Sequence, residues 1–191
     1  MELNDRILIN STDGDEFIIR RLLKSDRSGL QEFGNSLSKE STATFLPHSY
    51  DANTVNAFLE RSEKGQDLTL GLFNNDTMVA YFFLWYYTNP IPLLGIGILD
   101  EYQGKGFGKK LIQFLIDAAR RTNRDGIELT TLPDNHRAYA LYEQVGFRHY
   151  ADVNNLAGDG RVVTERAMFL QFNSAASPSV DLHKPPIDFN P

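Results

Sequence analysis

The sequence predicts a mixed α/β protein built as one domain, and three observations indicate this class. The chain has 191 residues, of which 41% are hydrophobic and 23% charged; a single domain of that size buries roughly 70% of its unfolded surface. Residues 6–22 and 68–87 have the pattern of strand–turn–strand hairpins. Between residues 93 and 119 the hydrophobic period changes from that of a buried strand to that of a helix.

The first half of the chain is predicted to contain two hairpins separated by two helices. Turn residues, capping residues and helix-stopping glycines mark the boundaries. In order, the elements are strands 6–9 and 17–22 around the turn Asp13-Gly14, a helix capped by Ser25 or Asp26, a polar loop with His48, Ser49 and Tyr50, a helix from about Asn53 to Gly65, and strands 68–73 and 77–87 around Asn74-Asn75-Asp76.

The centre of the chain, residues 93–110, is predicted to bind an anion. An apolar strand runs to Leu99, glycines follow at positions 104, 106 and 108, and a helix begins immediately afterwards. The first turn of a helix carries unpaired N–H groups and about half a positive charge, and glycines allow a ligand to approach the backbone. Lys105, Lys109 and Lys110 add full positive charges. The pattern favours a phosphate or pyrophosphate as the ligand.

The second half is predicted to alternate strands and helices up to a tail. The helix from the glycine turn reaches about Thr122, and residues 126–132 form a strand. The next helix carries Asn135 and Tyr142, which are two turns apart and share one face. A strand from Phe147, a loop at 152–161 and a last strand at 162–170 complete a domain spanning 1–172. We expect 173–191 to be a Pro- and Ser-containing tail, disordered or packed on a partner.

Composition excludes several function classes. The chain has no cysteine, so disulfides and thiolate metal sites are excluded. Its four histidines show no ligand spacing, and we predict no metal. A net charge of −6 argues against nucleic-acid binding, which needs a basic face. Without a signal-like segment or an apolar run near 18 residues, we expect no membrane association and a cytoplasmic protein.

Two motifs carry a resemblance to a known family. The glycine turn fits neither the Walker pattern G-x-x-x-x-G-K-[ST] nor the dinucleotide pattern G-x-G-x-x-G. It fits Q/R-x-x-G-x-G/A through Gln103, Gly106 and Gly108. A second motif, N-x-x-A-x-x-L-Y-x-x-x-G-F, is matched at Asn135, Ala138, Leu141, Tyr142, Gly146 and Phe147. In this order and spacing, the two motifs resemble those of the GNAT superfamily of acyl-CoA-dependent N-acyltransferases, over roughly residues 66–150.

The resemblance implies a fold, a co-substrate and a set of binding residues. The fold would be a central mixed, mostly antiparallel sheet with splayed middle strands and helices on both faces. The co-substrate would be acetyl-CoA, whose pantetheine arm would bond to the backbone of Gly97 and Ile98. The residues implied to bind CoA are Gly97, Ile98, Gln103, Gly104, Lys105, Gly106, Phe107, Gly108, Lys109, Asn135 and Tyr142.

The resemblance also implies catalytic roles. Tyr142 matches the family's general acid, which protonates the leaving thiolate. Many members carry a basic carboxylate on the strand equivalent to 93–99, but no titratable side chain occurs there. Glu128 or a water chain is the alternative, and we favour water. Because no cysteine is present for a covalent relay, we expect direct attack by the amine in a ternary complex. Tyr50, and Trp85 or Tyr87 near the end of the aromatic strand, are candidates for the acceptor pocket.

The predicted function is acetyl transfer from acetyl-CoA to a primary amine of a small molecule or peptide. A catalytically weak CoA-binding regulatory module is the first alternative, and a phosphate- or nucleotide-binding enzyme of another class is the second. Aminoglycosides, polyamines, amino acids and protein N-termini all remain open as acceptors. A homodimer is a further hypothesis. The sequence does not distinguish these acceptors, because the predicted acceptor walls lie outside both motifs.

Overall fold

The strands and helices lie along the chain largely where the hydrophobic periods predict them. The computed structural model describes residues 5–178 and 185–187. Two short 3-10 turns occur at Lys24–Asp26 and Asp100–Tyr102. The strands are β1 (Arg6–Asn10), β2 (Glu16–Arg21), β3 (Leu68–Asn74), β4 (Thr77–Trp85), β5 (Leu93–Ile98), β6 (Gly126–Thr131), β7 (Arg148–Leu156) and β8 (Val162–Gln171), and the helices are α1 (Arg27–Ser36), α2 (Lys39–Thr44), α3 (Ala52–Glu63), α4 (Phe107–Arg121) and α5 (His136–Gln144).

The eight strands form one sheet in the order β1-β2-β3-β4-β5-β6-β8-β7. All neighbours are antiparallel except β5 and β6, which are parallel. Those two strands pair at a single position, Leu93 with Glu128, while β4 and β5 pair at six successive positions. The sheet therefore opens between β5 and β6 beyond Leu93, and the predicted mostly antiparallel sheet with splayed middle strands is confirmed.

Helices cover both faces of the sheet and create two apolar cores. One core contains the buried face of α4, with Phe107, Leu111 and Leu115 each at most 1% exposed. The other core lies under α1 and α3 and contains Phe33 and Phe58. The strong 3.6-residue period of α4, which carried the sequence prediction, arises because one side of this helix packs on the sheet and the other faces water.

Two local features differ from the sequence-based expectation. Helix α2 lies within the segment predicted as a polar loop; its six residues, KESTAT, lack an apolar stripe, and Ser38 caps it by accepting a hydrogen bond from the Ser41 amide. Strand β4 ends at Trp85, because Tyr86 adopts φ +54°. That turn moves Tyr87 to the α4 core, whereas alternation predicted that it would share the face of Trp85.

The two glycines inside β5 are required by aromatic neighbours. A Cβ atom at Gly95 would lie 2.2 Å from the Phe83 ring, and one at Gly97 would lie 2.3 Å from the Phe45 ring. Both glycines therefore let aromatic side chains lie flat against the strand on the α1 and α3 face. Glycine inside a strand often marks such a close approach, and here the approaching groups are the Phe83 and Phe45 rings.

His48 is fully buried in the second core, next to Phe58 and Tyr81. Its Nδ1 lies 2.7 Å from the Ser49 carbonyl oxygen and therefore carries the proton, which leaves Nε2 to accept from the Tyr81 hydroxyl at 3.1 Å. Its ring stacks on Phe58 at 4.3 Å. Burial lowers the pKa of His48 from 6.5 to about 4, against the opposing effects of the Ser49 carbonyl and the Asp51 charge.

The His48 environment predicts an acid-sensitive stability. Between pH 6.5 and 4 the unfolded chain binds a proton at this histidine and the native chain does not, so the free energy of unfolding falls with falling pH. The loss is about 3 kcal/mol across that window. Urea unfolding of the wild type and of His48→Gln at several pH values measures it. The variant should have a flatter profile than the wild type, and equal slopes in the two proteins would contradict the assignment.

The described part of the predicted tail makes contacts with the domain. Ile187 packs against the core under α1 and α3. Residues 179–184 and 188–191, which belong to the same predicted tail, lie outside the described residues. The predicted domain boundary at residue 172 stays a prediction.

Candidate active site

The turn between β5 and α4, residues 103–108, has the backbone of an anion-binding loop, and we call it the glycine loop. Gly104 and Gly106 both have φ +80°, and Gly106 is the N-cap of α4 without a side-chain cap. The N–H groups of the first turn of α4 therefore have no capping side chain and are available to a ligand. A Cβ atom at Gly106 would lie 2.9 Å from Thr12 Cγ2. The backbone there fits an incoming phosphate and leaves no room for a side chain.

The tip of the first hairpin supports this loop from outside. The Thr12 amide donates to the Lys105 carbonyl at 3.1 Å, and Lys110 Nζ donates to the Asn10 carbonyl at 2.6 Å. Lys105 Nζ lies 5.2 Å from the centre of the Tyr102 ring. The backbone carbonyl of Lys105 thus points to the hairpin, and its side chain is not among the residues that line the cleft described below.

Gln103 ties the glycine loop to β5 and α2. Its Nε2 donates to the Ile98 carbonyl at 3.0 Å and to Ser41 Oγ at 3.1 Å, while Arg137 Nη1 donates to its Oε1 at 3.4 Å. Asp100 strengthens the same junction by accepting from Ser41 Oγ at 2.9 Å. Hydrogen bonds from Ser38 and Ser41 hold the pKa of Asp100 below its usual range. Gln103 therefore has a clear structural role beside any contact with a ligand.

A cleft of about 760 Å³ follows the opening between β5 and β6, from the glycine loop to α5. This volume lies within the range of small-molecule and cofactor sites. Seven predicted binding residues besides Asn135 and Tyr142 line it: Gly97, Ile98, Gln103, Gly104, Gly106, Gly108 and Lys109. Phe107 and Lys105 do not. The Phe107 side chain is 1% exposed and packs on Phe17 at 4.6 Å. It therefore lies in the core, and the contact predicted for this residue can involve only its backbone, which opens α4.

The peptide groups of β5 that face the cleft follow from its pairing with β4. The Leu99 amide donates to the Val79 carbonyl at 3.0 Å. Hydrogen-bonded and non-hydrogen-bonded residue pairs alternate along two antiparallel strands. Gly97 therefore also forms backbone hydrogen bonds with β4. The peptide groups of Ile96 and Ile98 point the other way, into the opening between β5 and β6. Gly97 lines the cleft, but the main-chain groups that face the opening are those of Ile96 and Ile98, so the predicted contact of a cofactor with the Gly97 backbone stays a prediction.

Tyr142 lies at the inner end of the cleft on α5. It is 8% exposed, its ring contacts Phe147 at 6.0 Å, and no described residue forms a hydrogen bond with its hydroxyl. Burial, and then the charge of Glu165, raise the pKa of Tyr142, so the phenol is protonated at neutral pH. Asn135, the other motif residue on this face, caps α5 by accepting from the Ala138 amide at 3.2 Å.

A second, smaller cavity of about 120 Å³ adjoins the cleft. The two share five residues: Thr44, Phe45, Leu94, Gly95 and Thr130. Trp85 lines the smaller cavity and stacks on Phe83 at 4.1 Å. Glu165 of β8 also lines it, and its Oε2 accepts from Asn155 Nδ2 at 2.5 Å. We call this space the carboxylate cavity.

Three residues predicted for catalysis or acceptor binding lie outside both cavities. Glu128 is fully buried and accepts from the Tyr150 hydroxyl at 3.1 Å. Burial, and then the Glu128 carboxylate, raise the pKa of Tyr150. The Tyr50 ring fills the space above Gly34, and its hydroxyl is buried. The Tyr87 hydroxyl donates to the Ala118 carbonyl at 3.4 Å. None of the three therefore lines the cleft or the carboxylate cavity.

Sequence reasoning missed Glu165, Asn155 and Ile96. Glu165 occupies the middle of VVTERAMFL, a stretch read only as a strand. Strict alternation in β8 could have indicated that Glu165 and Ala167 share a face. The pairing of β8 between β6 and β7, which brings Glu165 beside Thr130 and Asn155, carries no local signal.

The described residues contain no group of three or more His, Asp and Glu side chains that could hold a metal ion. Among those same residues, no helix combines the length and the apolar character needed to cross a bilayer.

The opened sheet, the glycine loop and the long cleft define an α/β protein with an elongated site between two strands. The model of the Acetyltransferase (GNAT) family matches residues 30–147, and the chain belongs to this family. The splayed sheet and both motifs lie at their expected places within that range. Family membership supports acetyl transfer from acetyl-CoA in general terms.

The relatives and the solved structure described next share between 22% and 30% of their aligned residues with this chain. The chain is 26% identical over 117 residues to an uncharacterized N-acetyltransferase, YvbK, of Bacillus subtilis, covering 61% of this chain and 73% of that protein. It is 30% identical over 80 residues to the [ribosomal protein bS18]-alanine N-acetyltransferase of Escherichia coli, covering 42% and 54% respectively. The fold is similar to that of YncA, a putative acetyltransferase from Salmonella typhimurium solved with acetyl-CoA, with a TM-score of 0.67, 22% identity and coverage of 86% and 99%.

Proposed function

We propose that this protein transfers an acetyl group from acetyl-CoA to a primary amine by direct attack in a ternary complex. The observation that carries the proposal is the continuity of the cleft: its outer end is an anion-binding loop, and its inner end holds the buried phenol of Tyr142. A CoA molecule needs both features, a seat for its diphosphate and a proton donor near its sulfur.

The residues present fit CoA by their shape and their polarity. The glycine loop offers backbone N–H groups where a side chain would collide with Thr12. Lys109 lines the cleft close to these amides and adds positive charge. Ile96 presents backbone N–H and C=O groups to the opening, and Ile98 presents its N–H, because the Ile98 carbonyl already accepts from Gln103. These groups suit the amides of a pantetheine arm, in the manner of an added strand. CoA supplies the activated thioester when it is bound.

The residues of this chain have separable roles in the transfer. The Ile98 amide would polarise the thioester carbonyl, because it points into the opening. Tyr142 would donate its proton to the departing thiolate. An alkyl ammonium with a pKa near 10.4 must first lose a proton, which costs about 4.6 kcal/mol at pH 7, and the proton leaves directly or through one water to a carboxylate. Glu128 is an unfavourable choice for that carboxylate, because its Oε1 already accepts from Tyr150.

The acceptor is a primary amine of a small molecule or a peptide. The Escherichia coli relative is named for the alanine of a ribosomal protein, which supports including peptide N-termini among the candidates. The family fold, the absence of a cysteine for a covalent relay and the two adjoining cavities all support direct transfer in a ternary complex.

An amine panel tests this function. Free CoA release from acetyl-CoA should occur with at least one primary amine from a set of alkylamines, amino acids, polyamines, aminoglycosides and peptides with free N-termini. CoA should raise the melting temperature of the protein and ATP should not, because only a ligand of the native state stabilises it. A CoA-dependent shift without transfer to any amine would instead support the catalytically weak CoA-binding module. A shift with ATP alone would contradict both functions.

A further inference from the structure

We propose that Glu165 accepts the proton of the acceptor amine and that the carboxylate cavity selects amines carrying a single positive charge beside an apolar group. This inference rests on the proposed acetyl transfer and identifies the acceptor side of that same site.

Glu165 is oriented by its neighbours and lacks a compensating positive charge. Asn155, which is 8% exposed, uses its amide to donate to Glu165 Oε2 at 2.5 Å and to Thr130 Oγ1 at 3.2 Å. No described residue donates a hydrogen bond to Glu165 Oε1, and no described Lys, Arg or His side chain forms an ion pair with this half-buried carboxylate. A carboxylate held in this way, partly removed from water, attracts a cation.

The position of Glu165 matches the geometry of the reaction. The carboxylate cavity meets the cleft along a shared wall that includes Thr130 and Gly95, and Thr130 is bonded to the same Asn155 that holds Glu165. The charge of Glu165 contributes to the raised pKa of Tyr142, after burial, so the two groups interact across this wall. The cleft, on one side of this shared wall, thus holds the proton donor Tyr142, and the carboxylate cavity, on the other side, holds the proton acceptor Glu165.

The proton balance is complete with these two residues. Glu165 takes one proton from the ammonium group, directly or through one water, and the freed nitrogen lone pair forms the C–N bond at the thioester carbonyl. The C–S bond breaks with its electron pair on sulfur, and Tyr142 gives its proton to that thiolate. The nitrogen then loses its second proton to the Tyr142 phenolate, where the cleft and the carboxylate cavity meet. Glu165 then returns its proton to water, so one proton is released for each acetyl group transferred.

The other walls of the cavity determine the kind of amine that fits. Among the described residues that line the cavity, Glu165 is the one carboxylate and Arg161 is the one cation. The Arg161 guanidinium forms an ion pair with Asp159 at 2.6 Å. The remaining walls are mainly apolar, including the stacked Trp85 and Phe83. A second ammonium group would lie against these walls without a counter-charge, which is costly. Polyamines and aminoglycosides are therefore disfavoured, and an amine with one small apolar neighbour is favoured.

The selectivity test compares 1-aminobutane with 1,4-diaminobutane, which have the same chain length and differ by one ammonium group. Wild-type protein should acetylate the monoamine with a kcat/KM about 100-fold higher. With CoA present, 1-aminobutane should also raise the melting temperature, and Glu165→Gln should lose this increase. Equal use of the two amines, or the absence of both turnover and a thermal shift with 1-aminobutane, would overturn the cavity assignment.

The role of Glu165 is tested with amines of different basicity. Glu165→Gln should lower kcat about 100-fold for ethylamine, and much less for 2,2,2-trifluoroethylamine, which is already neutral at pH 7. Its deficit with ethylamine should shrink as the pH rises toward the pKa of that amine. Glu32→Gln, at an exposed glutamate of α1 outside both cavities, is the control and should behave like the wild type. An equal loss with both amines would reveal a merely structural role, and an unchanged kcat would remove Glu165 from catalysis.

These outcomes separate this inference from the proposed function. If CoA binds and no amine is acetylated by the wild type, the acetyl transfer fails, while the thermal shift with 1-aminobutane still decides whether the cavity binds a monoamine. If amines are acetylated and Glu165→Gln is fully active, the transfer stands and the assignment of Glu165 is wrong.

Discussion

Gly106→Val is expected to abolish CoA binding while the domain stays folded. Gly106 has φ +80°, and its added side chain would begin 2.9 Å from Thr12 Cγ2. A β-branched residue at this φ costs about 1–2 kcal/mol in backbone strain, and relief of the collision displaces the N–H groups of the first turn of α4. A ligand held mainly by those amides loses several bonds at once. Calorimetric titration with CoA measures the loss.

The control for this variant is another glycine with the same backbone requirement. Gly65, after the end of α3, has φ +72° and open space around its would-be Cβ atom. Gly65→Val should therefore lower stability by a similar amount and keep CoA affinity. Circular dichroism shows whether both variants are folded. Normal CoA affinity in Gly106→Val would mean that the glycine loop is not the diphosphate seat.

Tyr142→Phe is expected to lower kcat by about 10²–10⁴-fold, the usual contribution of a general acid. The substitution removes only the hydroxyl, because the Tyr142 ring keeps its contact with Phe147. The affinity for CoA should therefore change little. Burial and the charge of Glu165 raise the pKa of Tyr142 above 10, so the phenol stays protonated throughout the neutral range. A fall in wild-type activity between pH 7 and 9 would have to come from another group.

Steady-state kinetics and CoA titration separate the two effects of this variant. Tyr139→Phe is the matched control, because Tyr139 lies on the same helix but faces Arg166, whose guanidinium is 5.0 Å from its ring centre. This control should keep its kcat. Unchanged turnover in Tyr142→Phe would assign the proton donation to water and leave Tyr142 as a wall of the cleft.

The CoA side of the site was predictable to a large extent from local sequence. A strand, a glycine turn and an amphipathic helix follow one another within 30 residues, so their relative positions are set by covalent connection and short-range hydrogen bonds. Gly104, Gly106 and Gln103 accordingly lie where the motif placed them, although Lys105 and Phe107 turn away from the cleft. Phe107 does so because its ring fills the core beside Phe17.

The acceptor side depended on contacts between distant parts of the chain. Glu165, Asn155 and Thr130 come from three strands, and only the insertion of β8 between β6 and β7 brings them together. The φ of Tyr86 places Tyr87 on the opposite face from Trp85. Glu128 lies outside both cavities, where its Oε1 accepts from the Tyr150 hydroxyl.

The sequence by itself determined the family, the order of strands and helices, and the loop that suits a diphosphate, because these depend on periodicity and turn chemistry within short segments. Tertiary structure alone decided which carboxylate lines the smaller cavity and which aromatic residues surround it. Sheet order and strand register set those neighbours, and they arise from the packing of the whole chain rather than from any local pattern.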